Sequence, residues 1–257
     1  MSFVENNAEK LHRSFDNQEP IAQLSSEQSY NLETAYAIQH KLVNHRVIDG
    51  NPVIGVKLGF TSKAKMEQMG VSDLIIGQLT QDMFCSNGGS LDINKFIHPR
   101  VEPEVCFLLS KDIDAVLTAE EVKNYVSGVA AAIEVIDSRY ANFKFSLEDV
   151  VADNCSSAAF ITGVMSTDLP DFEPTPIELH INGEVVSKGS TADILDNPWN
   201  SLSEATRLAK LHNIPLKKGM YVMAGAATAA TFMQESQEIS VHISGLEPAF
   251  FRVKPTE

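Results

Sequence analysis

Glu102 and Glu104 stand two residues apart in Val101-Glu102-Pro103-Glu104-Val105, and a third acid, Glu134, is embedded in Gly128-Val129-Ala130-Ala131-Ala132-Ile133-Glu134-Val135-Ile136. On an extended strand, residues i and i+2 project from one face, so the first two carboxylates can converge on a single point that Glu134 would close into a triangle. Carboxylates gathered in apolar surroundings repel one another and lose hydration, and a bound cation or shared protons relieve both costs. All-oxygen ligation suits Mg²⁺ or Mn²⁺ better than a thiolate-preferring metal. The competing arrangement places Glu102 and Glu104 on a solvated strand edge and pairs Glu134 with a Lys or Arg, and for a lone Glu-x-Glu that is the commoner outcome. The apolar run around Glu134 tips the balance towards a metal, because a charge there is hard to place on a surface.

Lys57 is the one charge in Val53-Ile54-Gly55-Val56-Lys57-Leu58-Gly59-Phe60. A lysine in such a stretch is costly to bury unless a carboxylate or an anionic ligand meets it; the alternative is a side chain that snorkels to water. Two later stretches, Asp137-Ser138-Arg139-Tyr140 and Val151-Ala152-Asp153-Asn154-Cys155-Ser156-Ser157, mix polar side chains with apolar flanks. They suit a pocket wall, or ordinary loops with Asx and Ser turns.

The elements that must position these groups follow from periodicity. Residues 1–50 read as a helical N-terminal segment, with Ala35, Ile38 and Leu42 on one helix face, ended by Asp49-Gly50-Asn51-Pro52. Residues 51–257 read as the domain that carries the groups above. Val53–Phe60 is strand-like, and Thr61 or Ser62 could cap a short helix through Met69. Thr118-Ala119-Glu120-Glu121 has capping-box spacing and predicts a helix ending near Gly128, before the strand of Glu134. Asn182-Gly183 between alternating runs predicts a hairpin with a type I′ turn. Asn197-Pro198 resembles an N-cap with proline at the first helical position, opening a helix through Leu202, Ala205, Ala209 and His212. Strands are expected at Tyr221–Ala224, Glu238–Ser244 and Ala249–Val253. His180 and His242 fall in alternating strands as surface or satisfied core groups, and Trp199 as a packing anchor. The fold class is therefore α+β.

Composition narrows the function classes. The 257 residues can bury a sizeable core, and the 44% hydrophobic and 21% charged composition is ordinary for a water-soluble protein. A formal net charge of −14 argues against nucleic acid or an anionic membrane as partner. Cys85, Cys106 and Cys155 are widely spaced and odd in number, so they read as buried small hydrophobes rather than a disulfide or metal framework. The polar start, Met1 to Pro20, and the lack of a long apolar run point to a cytoplasmic enzyme or binding protein.

Taken together and in order, Gly55-Val56-Lys57-Leu58-Gly59, Val101-Glu102-Pro103-Glu104, Glu134-Val135-Ile136-Asp137-Ser138-Arg139-Tyr140 and Val151-Ala152-Asp153-Asn154-Cys155-Ser156-Ser157 resemble the family of 4-oxalocrotonate decarboxylases and 2-hydroxypenta-2,4-dienoate hydratases, relatives of the fumarylacetoacetase C-terminal domain. The resemblance runs from about Ala35 to near the C-terminus. It implies a mixed, rolled β-sheet with outer helices, divalent-metal ligands at Glu102, Glu104 and Glu134, and an active-site lysine at Lys57. It further implies substrate contacts at Ser156 and at the Leu58 backbone. Residues 61–71, the stretch from Ile136 to Phe145, and Ala224-Gly225-Ala226-Ala227-Thr228-Ala229-Ala230 are similar to the decarboxylase branch, which makes Thr228 a further candidate substrate contact. Lys188-Gly189-Ser190-Thr191-Ala192-Asp193-Ile194-Leu195 departs from the pattern of both branches, and Asp193 there could alter the substrate's distal end.

The implied reaction is loss of the distal carboxylate of 2-oxohex-3-enedioate as CO₂, with electrons drawn towards a metal-bound 2-oxo group and Lys57 adding positive charge. A hydratase on the same scaffold must also deliver a proton and a water, for which Asp82 and Asp137 are the candidate acid/base groups. A third possibility is a non-catalytic partner subunit of such an enzyme. The expected partners are a small 2-oxo dicarboxylate and either further copies of the chain or the pathway hydratase.

Overall fold

The computed structural model describes residues 1–61 and 73–255. The helix expected through Met69 lies outside the described residues, as does most of the 61–71 motif.

Helices come first. Phe3–Asn17 opens with a capping box in which Ser2 Oγ accepts from Glu5 N, while the Glu5 carboxylate takes the Ser2 N–H. A short turn at Leu24–Glu27 follows, then Leu32–Ile48, whose N-cap Asn31 accepts from Thr34 N. Ala35, Ile38 and Leu42 are buried on the face that periodicity assigned them.

The strands then form two sheets. They are β1 (Val53–Gly59), β2 (Ile75–Thr80), β3 (Phe84–Cys85), β4 (Ser90–Asp92), β5 (Arg100–Leu109), β6 (Val126–Ile136) and β7 (Ser157–Thr162), followed by β8 (Pro176–Ile181), β9 (Glu184–Ser190), β10 (Tyr221–Met223), β11 (Thr231–Phe232), β12 (Glu238–Ile243) and β13 (Ala249–Lys254). Among the described residues the larger sheet runs β2-β1-β10-β5-β6-β7-β3, with β11 also paired to β5. The smaller one runs β4-β13-β12-β8-β9. Both are mixed: β1 with β10, β3 with β7 and β4 with β13 are parallel, while the other pairs are antiparallel. The α+β expectation and its mixed sheet hold.

Alternation on β5 and β6 divides the molecule. Val101, Val105, Phe107, Val129, Ala131, Ile133 and Val135 belong to the main core, together with Ile177, Leu179, Ile239, Val241 and Phe251 of the smaller sheet. The opposite face of β5 and β6 carries Cys106 and Ala132 in a small second cluster with Leu79, Met83, Phe160 and Met223. By the same alternation Glu102, Glu104 and Glu134 belong to this second face.

Three local features differ from expectation or sharpen it. The helix begun by the Thr118 capping box is only Ala119–Val122, then a 3₁₀ turn to Tyr125, and Gly128 already lies inside β6. The β-branched and small residues from Val126 onward favour the strand once it can pair with β5. Asn182 and Gly183 take φ values of 52° and 82°, the positive pair a type I′ turn needs, between β8 and β9. Asn197 Oδ1 caps the Pro198–Leu211 helix by accepting from Trp199 N, and Trp199 packs on Phe107 and Phe172.

Candidate active site

The acids meet because of register. Glu102 is the direct cross-strand partner of Glu134, and Glu104 pairs with Ala132 one step along. Like charges directly opposite on a sheet are destabilising on their own. Pro103, between the two glutamates, sits in an interior strand at no cost to the ladder. Its carbonyl accepts from Ala227 N, so its missing N–H also faces the 224–230 loop and not β6. The same gap between β10 and β11 lets Gly225 N donate to Glu104 Oε2 at 2.8 Å. Gly225 has φ +103°, and a Cβ there would meet Thr61 Oγ1 at 2.2 Å, so this position accepts only glycine.

One carboxylate oxygen from each of Glu102, Glu104 and Glu134 lies within 4.8 Å of the others. Glu104 and Glu134 are wholly inaccessible to solvent. Glu104 Oε1 and Glu134 Oε2 have no hydrogen-bond partner among the described residues. Glu134 Oε1 faces Lys57 Nζ at 3.1 Å. Lys57 is placed by β1, where it pairs with Met223 of β10 on one side and Gly77 of β2 on the other. One ammonium cannot balance the two wholly buried carboxylates of Glu104 and Glu134, and orphaned buried oxygens are expensive. The donor set therefore fits a hard, oxygen-ligated divalent cation, which would neutralise the excess and occupy those oxygens.

Titration behaviour agrees. Burial, then the charge of Glu134, raises Glu104 well above the usual carboxylate range. Burial pushes Glu134 up to about 7 against the opposing pull of Lys57. Burial alone would lower Lys57, but the charge of Glu134, aided by the other acidic groups around it, reverses that and keeps the ammonium charged.

A cavity of about 360 Å³ opens beside the acids, with Lys57, Leu58, Glu102, Ser156 and Arg100 in its wall. Phe60, Phe143, Phe145, Ile75 and Val150 supply most of the apolar lining, and Ala226, Ala229 and Ala230 complete it. Ser156 is 3% exposed and its Oγ has no partner among the described residues. Burial lifts the neighbouring Cys155 thiol to about 12, which keeps it protonated and unreactive.

Ser156 stands at the end of a left-handed turn. Asn154, Cys155 and Ser156 have φ values of 49°, 55° and 57°, and three consecutive non-glycine residues in that region store strain. The surroundings enforce it. Asn154 pairs with the Gln78 backbone in both directions, at 2.8 Å each. Arg139, buried, donates to the Asp153 carboxylate and carbonyl and to the carbonyls of Asp137 and Ser157. The two polar stretches of the sequence are thus one wall, knitted together by Arg139.

The structure separates the other candidates from the cavity. Asp82 accepts from Arg46 and from Thr80 Oγ1 and faces a different depression. Asp137 is fully buried, with both oxygens taken by the backbone N–H groups of Ile97 and His98 at 2.8 Å. Neither carboxylate lines the cavity. The Thr228 hydroxyl bonds Ser187 and the Ala229 carbonyl, outside the lining that its neighbouring alanines form. Asp193 is exposed, accepts from Ser190 N and is not among the residues that line the cavity. Arg100, Phe143 and Phe145 were not found from sequence, although Arg100 lies two residues before Glu102 and the alternation that joined the glutamates applies equally to it.

A family model described as fumarylacetoacetate (FAA) hydrolase C-terminal matches residues 53–254. The chain belongs to this family. Within the FAA hydrolase C-terminal family it is similar to a 4-oxalocrotonate decarboxylase from a Pseudomonas species, 40% identical over 239 residues covering 93% of each chain. It is also similar to a 2-keto-4-pentenoate hydratase of Paraburkholderia xenovorans, 31% identical over 93% of this chain and 90% of that one. Among solved structures it superposes on the 4-oxalocrotonate decarboxylase from Pseudomonas putida G7 complexed with magnesium and adipate, with a TM-score of 0.93, 33% identity and 97% of each chain covered.

Proposed function

We propose that the chain catalyses the metal-dependent decarboxylation of 2-oxohex-3-enedioate (4-oxalocrotonate) to 2-hydroxypenta-2,4-dienoate and CO₂, a step of meta-cleavage catabolism of aromatic compounds. The carrying observation is the buried Glu102, Glu104 and Glu134 cluster, in which Glu104 Oε1 and Glu134 Oε2 have no hydrogen-bond partner among the described residues, beside a cavity whose wall holds Lys57 and Ser156. The decarboxylase relative at 40% identity supports the same reading.

Mg²⁺ or Mn²⁺ held by Glu102, Glu104 and Glu134 supplies Lewis acidity towards a 2-oxo acid. The bond to the distal carboxylate breaks, its electron pair moves through the conjugated chain to the 2-oxygen, and one proton from solvent completes the enol. Lys57 places fixed positive charge beside this end of the cavity, an electrostatic role of the oxyanion-hole kind. Ser156 Oγ, which has no hydrogen-bond partner among the described residues, donates to the proximal carboxylate, and the Leu58 backbone adds a second contact. The rings of Phe60, Phe143 and Phe145 exclude water, which favours neutral CO₂ over a hydrated anion.

Hydration is the second reading, and the hydratase relative at 31% identity suggests it. It requires a positioned acid/base. Among the described residues that line the cavity, Glu102 is the single carboxylate and no imidazole is present, which favours decarboxylation. We infer a cytoplasmic enzyme working as a homo-oligomer or with the pathway hydratase. No helix among the described residues is long and apolar enough to cross a membrane. Incubating purified protein and Mg²⁺ with 2-oxohex-3-enedioate, while following CO₂ and ultraviolet absorbance together, tests the reading. CO₂ with the dienoate is expected; a 4-hydroxy-2-oxo acid without prior CO₂ release would replace it with hydration, and no turnover with bound metal would replace it with a partner-subunit role.

A further inference from the structure

Arg100 begins β5 two residues before Glu102, and both side chains enter the wall of the same cavity. Its guanidinium lies between two aromatic faces, 4.2 Å from the centroid of Phe143 and 4.4 Å from that of Phe232. This clamp fixes a planar, permanently charged group without consuming its hydrogen-bond donors. Nε is buried and has no hydrogen-bond partner among the described residues. A buried guanidinium donor left open is costly unless a ligand completes it.

Position along the strand says which ligand atom does so. Glu104 and Glu134 lie at the inaccessible floor, whereas Phe232 beside Arg100 is 59% exposed, so Arg100 marks the mouth of the cavity. Successive residues on one strand face are about 7 Å apart. A linear six-carbon diacid bound by its 2-oxo acid end at the glutamates therefore brings its far carboxylate towards Arg100.

We propose that Arg100 recognises the distal carboxylate of the substrate and makes the site selective for 2-oxo dicarboxylates over 2-oxo monocarboxylates. The inference rests on the decarboxylase reading and deepens it. Because that carboxylate becomes neutral CO₂, the ion pair belongs to the ground state and weakens as the reaction proceeds. Arg100 thus contributes to binding and specificity, and does not accelerate the bond-breaking step.

The experiment measures calorimetric binding, with Mg²⁺ present, of 2-oxoadipate and 2-oxohexanoate, which differ only in the distal carboxylate and cannot decarboxylate for want of the conjugated double bond. The wild type is expected to prefer the diacid by ~10-fold or more, and Arg100→Met to lose that preference while binding the monoacid as before. Arg100→Gln serves in place of Met should the Met variant fail to fold. With 2-oxohex-3-enedioate the variant's KM should rise while kcat does not fall, because the interaction lost is one of the ground state. A preference that survives in the variant, an equal loss of both ligands, or a kcat that falls at unchanged KM would overturn the proposal. Failure of the decarboxylase reading shows separately, as wild-type protein that releases no CO₂ whatever its preference between the two analogues.

Discussion

Lys57 Nζ lies 3.1 Å from Glu134 Oε1, and the two side chains are 5% and 0% exposed. The ammonium and the acid cluster are thereby one electrostatic unit. Replacing Lys57 with Met removes the fixed charge next to the reacting end while leaving all three glutamates in place. The expected outcome is a kcat lower by ~10²-fold or more with a much smaller change in Mg²⁺ affinity, read by steady-state kinetics and metal titration. An unchanged kcat would eliminate the electrostatic role.

Glu104 is held by Gly225 through one oxygen and leaves the other without a hydrogen-bond partner among the described residues. Glu104→Gln keeps the shape and the Gly225 contact but removes a charge from the cage. It should retain the wild-type circular dichroism spectrum, lose the rise in Tm that Mg²⁺ gives, and lose turnover by at least ~100-fold. Turnover that persists in this variant after chelation would sink the metal centre.

Protons and metal compete for the same oxygens. Burial raises Glu134 to about 7 and Glu104 well above its usual range, so the metal-free folded state binds more protons than the unfolded chain between about pH 4.5 and 7. The sign follows: stability of the metal-free protein declines as pH rises through that window, because the folded state must give up protons it held in excess. Asp153, raised by burial to about 7, adds in the same direction. Mg²⁺ needs the deprotonated carboxylates, so its Tm increment should be larger at pH 8 than at pH 6, measured by thermal scans with and without chelator. An increment that is equal at both values would contradict the coupling.

Ser156 Oγ is buried with no hydrogen-bond partner among the described residues, so its removal costs the folded protein little. Ser156→Ala should leave the Tm of the ligand-free protein within about 2 °C of wild type and weaken binding of 2-oxo acids by ~10-fold. A large loss of Tm would show instead that the hydroxyl supports the left-handed turn.

Asp153 carries the buried Arg139. Asp153→Asn leaves that guanidinium without its counter-charge, and breaking one side of a buried pair costs about 3–5 kcal/mol. Tm should fall by about 10 °C, with the Asn154–Ser156 turn relaxing and substrate affinity lost along with it.

How far the sequence led depended on the range of the interaction concerned. Period-two alternation brought Glu102 and Glu104 to one face, and local rules located the Asn182-Gly183 hairpin and the Asn197-Pro198 cap, because those determinants lie within a few residues. The apolar flanks of Glu134 pointed to a buried partner, and β6 supplies it through register with β5. The sequence around Asp82 and Asp137 does not reveal Arg46 or the Ile97 and His98 amides that bind them. Arg139 looked like pocket polarity and is a strut; Arg100 was passed over because its aromatic clamp comes from Phe143 and Phe232, far apart in the chain.

The pairing of Glu102 with Glu134 makes the cage a check on how the sheet assembled. Neither β5 nor β6 alone supplies more than two of its carboxylates, and sliding one strand past the other by a single residue turns its acids to the opposite face. If the three acids hold the ion, a molecule whose central strands are misaligned would not take it up and would not react. Ion uptake would then distinguish correctly aligned molecules from those that are merely compact, a test that every active molecule would have passed.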